Sequence, residues 1–160
     1  FAAGCARNLA GTFRLCHYAV LNDHLHLLCE AETRTALARG LQGLLIRIAK
    51  ALNKLWARRG RVFADRYHDH ILKSPREVRN ALRYLFGNGR KHAAEGREVR
   101  VAQAIDTYTS APWFDGFRER ITVLGLEAVV RPVADARTWL LTEGWLRHGR
   151  IGVHELPSTA

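Results

Sequence analysis

His24-Leu25-His26 is the first arrangement in this sequence that could do chemistry. Side chains alternate along a strand, so the two histidines share a face with Cα atoms about 6.5 to 7 Å apart, within reach of one metal ion, while Leu25 and Leu27 face the other way. The same spacing recurs at His68 and His70, and two histidines two apart are also a common polar strand surface. Spacing alone leaves both pairs open. A second arrangement is Tyr84 with Asn88. At about 100° per residue the two project from one side of a helix, beside an apolar stripe of Val78, Leu82 and Leu85. By default such a tyrosine is a packing residue. A phenol of pKa about 10 is a poor nucleophile at neutral pH, and becomes useful when a neighbouring cation polarises a phosphate.

The elements that must position these residues are legible in part. Phe1, Cys5 and Leu9 recur at four-residue spacing before Gly11, which predicts the tail of a helix with something before it. Arg14 to Leu21 and His24 to Cys29 are two short apolar runs joined by the turn-forming pair Asn22-Asp23, a hairpin. From Thr33 to about Arg59, the stripe Leu37, Leu41, Leu44, Ile48, Leu52 and Leu55 predicts a long amphipathic helix with Arg39, Arg47, Lys50, Lys54 and Arg58 mostly off the stripe. Gly60 stops it. Arg61 to Lys73 is rich in aromatic and β-branched residues and reads as a loop leading into a third strand. Ser74-Pro75-Arg76-Glu77 then gives a capping serine, a proline at the first helical position and a glutamate three residues past the cap. The helix it opens carries Tyr84 and runs toward Gly87 and Gly89. Beyond it, Tyr108 to Phe117 predicts a loop with aromatic anchors and Thr138 to Arg147 a short helix, in which Trp139, Leu140 and Trp145 are expected to pack in the core.

Size and charge limit what these elements can serve. A chain of 160 residues and 18.1 kDa fits one domain, or one core with an appended tail. With 48% hydrophobic and 25% charged residues it has the balance of a folded globular protein. No apolar run approaches the roughly 18 residues of a membrane span, and the opening FAAGCARNLAG lacks the pattern of a secretion signal. Cys5, Cys16 and Cys29, odd in number and without CxxC spacing, point to reduced thiols and a cytoplasmic protein. The net charge of +10 is concentrated between Arg34 and Arg100, which points to a polyanionic partner, nucleic acid first.

A histidine pair within YAVLNDHLHLL, a long basic helix, the Phe-x-x-Arg-Tyr segment from Phe63 to Tyr67, and a helix with Tyr-x-x-x-Asn together resemble the HUH single-tyrosine transposases, specifically the REP-associated tyrosine transposases. The resemblance runs from about Arg14 to His92 and rests on the order of the motifs. It implies an α+β, ferredoxin-like antiparallel sheet with packed helices, its first strand missing from this chain, followed by a helical and irregular C-terminal tail. Residues 1–105 are then an N-terminally truncated catalytic domain and 106–160 an extension packing on it. It further implies single-strand DNA cleavage through a 5′-phosphotyrosyl link, with Tyr84 as nucleophile and His24, His26 and Asn88 holding Mg²⁺ or Mn²⁺, and it sets aside His68 and His70. Single-stranded or hairpin DNA is the expected partner, gripped by Arg39, Arg47, Lys50, Lys54, Arg58, Arg66, Arg83, Arg90 and Lys91, with the protein a monomer or homodimer. The alternative is a nucleic-acid-binding protein on the same scaffold without chemistry. One departure from the family pattern is that Asn88 precedes Gly89-Arg90-Lys91-His92 where a proline is usual, which loosens the turn but keeps the amide in register.

Overall fold

The computed structural model describes residues 11–94, 105–123 and 125–155, without the side chains of residues 88–94 and 127. The predicted helix tail over Phe1 to Leu9 lies outside them. Strands β1 (Phe13–Val20) and β2 (Leu25–Ala31) form an antiparallel hairpin, with Phe13 opposite Ala31 and Val20 opposite Leu25. Asn22 and Asp23 make the turn, closed by Leu21 N–H donating to the His24 carbonyl at 2.9 Å. The register shifts between Leu15 and His17, a bulge at Cys16 that moves the strand's alternation by one residue. Leu15 and Tyr18 therefore face one side, and Cys16 and Ala19 the other.

A helix covers each face. Helix α1 (Arg34–Leu55) starts at Thr33, whose hydroxyl accepts from Ala36 N–H at 3.0 Å; it buries Leu41, and packs Leu44 and Ile48 with Leu15 and Tyr18. Phe13 crosses α1 at Gly40, where any side chain would collide with the ring. Helix α2 (Pro75–Ala94) opens with the predicted capping box: Ser74 Oγ accepts from Glu77 N–H at 3.3 Å and Glu77 Oε2 accepts from Ser74 N–H at 3.0 Å. It packs Val78, Leu82, Leu85 and Phe86 onto Cys16 and Ala19.

The C-terminal residues complete the α2 side of the core with Ile105, Phe117, Leu141, Trp145, Ile151 and Val153. Tyr108 to Ser110 line the outer edge of β1, where Val20 N–H donates to the Tyr108 carbonyl and Ser110 N–H to the Tyr18 carbonyl, each at 2.9 Å. Glu30 ties this part to the hairpin from a buried position. Its carboxylate accepts from Arg14 Nε at 3.0 Å, from Arg137 N–H at 2.9 Å and from Thr138 Oγ1 at 2.7 Å, ahead of the single-turn helix α3 (Trp139–Thr142). Burial opposes its ionisation, yet the hydrogen bonds from Thr138, Arg137 and Arg14 outweigh burial and lower its pKa.

Two expectations are corrected. The third strand over Arg61 to Lys73 does not form, and the sheet among the described residues has two strands. Only Phe63 and Leu72 of that stretch pack against the core, and the polar run from Asp65 to His70 offers no alternating apolar face. Trp139 is 47% exposed, because Leu141 and Trp145 take the inward face; its ring lies over Gly144 and under the Arg147 guanidinium. Among the described residues no helix is long and apolar enough to cross a membrane.

Candidate functional site

His24 closes the hairpin turn and His26 is the second residue of β2, opposite Ala19 on the α2 side of the sheet. Leu25 and Leu27 point to the α1 side, as strand alternation requires. The two imidazoles meet edge-on with Nε2 atoms 3.1 Å apart. Tyr84 stands on α2 at the border of the core, 40% exposed, and its ring lies edge-on to His26 with centroids 5.1 Å apart. The structure thus brings His24, His26 and Tyr84 to one corner.

The histidine pair fits a divalent cation. The 3.1 Å Nε2–Nε2 contact is a hydrogen bond whose shared proton a cation would replace, since the two nitrogens are close enough to hold one ion between them. Asp23 adds a second fit, since its Oδ1 lies 2.6 Å from His24 Nδ1. A carboxylate accepting the Nδ1 proton leaves the lone pair on His24 Nε2, the tautomer that can ligate a metal. Among the described residues no group of three His, Cys, Asp or Glu side chains assembles a metal site. A cation held by the two imidazoles would take its other ligands from an amide oxygen, water or a phosphate. Asn88 lies on α2 one turn past Tyr84, and its side chain, like those of Arg90 and Lys91, falls outside the described residues.

His68 and His70 are both exposed on the irregular segment that replaces the expected strand, so strand alternation does not pair them. Of the basic residues, Arg39, Lys50, Lys54, Arg58 and Arg66 are exposed and Arg47 is half-buried. Arg83 is already engaged: Nη1 lies 3.4 Å from Glu155 Oε1 and the side chain is 18% exposed. Arg79 clamps the same carboxylate at 2.8 Å and the Gly149 carbonyl at 2.9 Å.

Sequence reasoning missed two residues near this site. Asp23 was legible only as a turn former, although its adjacency to the histidine pair was the available signal. His17 lies among Phe86, Phe114 and Ser110 on the α2 side of the sheet. Burial, with the positive charge of Arg131, pushes its pKa down to about 4 against a smaller opposing pull from Glu30, so it is a neutral packing residue at pH 7. Cys16 is inert for a similar reason, its thiol pushed up to about 12 chiefly by burial.

Comparison with protein-family models, curated proteins and solved structures gives no match.

Proposed function

We propose that this protein is a metal-dependent single-strand DNA nickase and strand transferase of the HUH single-tyrosine kind, acting on single-stranded or hairpin DNA. The observation that carries the reading is the 3.1 Å Nε2 separation of His24 and His26 with the Tyr84 ring packed on His26. Metal-competent imidazoles and a partly exposed phenol on one corner match what tyrosine attack on a phosphodiester needs.

In this reading His24 and His26 hold Mg²⁺ or Mn²⁺ and Asn88 is the expected third protein donor. The bound cation would supply charge withdrawal from a non-bridging phosphate oxygen. Tyr84 Oη forms the new bond to phosphorus and gives its proton to solvent, while the bond to the 3′ oxygen breaks and that oxygen takes a proton from solvent to leave as a 3′-hydroxyl. The 5′-phosphate stays on Tyr84 as an ester whose bond energy allows the reverse attack by a 3′-hydroxyl, and hence strand transfer without ATP. Asp23 keeps His24 in the ligating tautomer. The exposed cations of α1 grip the backbone, which predicts affinity for single strands that falls with salt, by about 0.7 in log-log slope per phosphate contact.

Incubation with end-labelled hairpin single-strand DNA and Mn²⁺ tests the reading through a denaturation-resistant protein–DNA adduct. Salt-dependent binding with no adduct would assign the protein to nucleic-acid binding without chemistry. Absence of both would overturn the proposal entirely.

A further inference from the structure

The C-terminal end of α1 presents an indole to water in a way that core packing does not explain. Trp56 caps the helix and is 54% exposed, beside Leu55 at 74%. The turn that carries it is tied down at several points. Trp56 N–H donates to the Leu52 carbonyl and Arg58 N–H to the Asn53 carbonyl, each at 2.9 Å. Asn53 Nδ2 donates to the Gly60 carbonyl at 2.8 Å, the Arg58 guanidinium to the Arg61 carbonyl at 2.9 Å, and Arg61 Nε to the Phe63 carbonyl at 2.7 Å. Ala57, between Trp56 and Arg58, holds a left-handed φ of +48°, a conformation that favours glycine. These bonds fix the backbone from which the indole projects.

The chemistry around the ring is cationic. The Arg58 guanidinium carbon lies 5.9 Å from the indole centroid, and Lys50 and Lys54 are exposed on the last two turns of the same helix. A purely apolar partner would have to bury those charges without compensation, at a cost of several kcal/mol for each ion of that kind. An unpaired nucleotide matches both features, because its base offers a π-face and its phosphate a negative charge.

We infer that Trp56 is a stacking platform for one unpaired base of a single-stranded nucleic acid whose backbone lies along Lys50, Lys54 and Arg58. The inference rests on the nucleic-acid reading above and adds to it the feature that is recognised, an unpaired base.

The test is anisotropy titration of the full chain against a labelled oligothymidylate and an abasic oligomer of equal length. Trp56→Ala should weaken oligothymidylate binding by about 5- to 150-fold, the range of a single base stack. It should leave abasic binding and the salt slope unchanged, and Trp56→Phe should keep most of the affinity. Unchanged oligothymidylate binding by Trp56→Ala, with salt dependence intact, would overturn the platform and leave the nucleic-acid reading standing. An equal loss on the abasic oligomer would also overturn it, by assigning Trp56 a structural role. No salt-dependent binding of either oligomer by the wild type would overturn both readings.

Discussion

The rings of Tyr84 and His26 meet edge-on, 5.1 Å between centroids and 79° between planes. A phenol on α2 is thereby held against an imidazole of β2 whose Nε2 lies 3.1 Å from that of His24. Core packing sets this arrangement. Leu82, Leu85 and Phe86 are buried on either side of Tyr84 in sequence and fix the rotation of the helix, so that the tyrosine emerges at the border of the core.

If Tyr84 is the nucleophile, Tyr84→Phe abolishes the covalent DNA adduct and leaves DNA binding within a few-fold of wild type. Only the phenolic oxygen is removed, while the ring keeps its contact with His26. Denaturing electrophoresis with labelled DNA and Mn²⁺ decides it. An adduct that survives would transfer the role to another phenol, such as the exposed Tyr108.

For the metal, His24→Ala and His26→Ala should each remove DNA cleavage and strong Mn²⁺ binding, and His68→Ala and His70→Ala should change both far less. Asp23→Ala keeps both imidazoles but releases the Nδ1 of His24, and should weaken Mn²⁺ binding about 10- to 100-fold. Titration followed by the electron paramagnetic resonance of unbound Mn²⁺ reads this without any DNA present. Equal losses at the two histidine pairs would reject the assignment.

The hairpin and both long helices were legible because each is specified locally. Asn22-Asp23 sets the turn, the leucine stripe sets α1, and Ser74 to Glu77 set the start of α2. The histidine pair and Tyr84 were legible as types and spacings, and their meeting was not, since it depends on which face of the hairpin each helix covers. The bulge at Cys16 is one reason: strict alternation would put Leu15 and Ala19 on one face, and the structure has them on opposite faces. Glu30 escaped notice for a similar cause. A carboxylate in a strand reads as surface, and its burial is made tolerable by backbone donors at Arg137 and Thr138, far away in sequence.

His17 predicts a pH dependence of stability. Its folded pKa of about 4 lies below the ordinary value of 6.5, so the unfolded chain binds more protons than the folded one between those limits. The stabilisation is present above about pH 6.5 and is lost as pH falls toward 4, with about 2 kcal/mol gone between pH 7 and pH 5. Urea unfolding at the two pH values, compared with His17→Phe, isolates the effect, because Ser110 Oγ retains its bond from Tyr18 N–H at 3.0 Å. The same slope in the variant would show that another group is responsible.

The left-handed residue at the end of α1 gives a prediction that joins stability to binding. Ala57 has φ +48° where the reversed N–H of Arg58 closes onto the Asn53 carbonyl, and a left-handed conformation costs an L-residue about 1 to 2 kcal/mol. Ala57→Gly relieves that strain and gives back part of it through the greater freedom of glycine in the unfolded chain, for a net gain of about 1 kcal/mol, or about 2 to 4 °C in Tm. Gly60 is the internal control. Its φ is +102° and a Cβ there would meet nothing within 4 Å, so Gly60→Ala tests backbone strain without a clash and should lower stability. Thermal unfolding of the two variants should therefore shift in opposite directions. Oligothymidylate affinity should not follow stability: the more flexible Ala57→Gly turn holds Trp56 less firmly and must order it on binding, so that affinity falls while Tm rises. A variant gaining both would mean that the turn does not pre-position the indole.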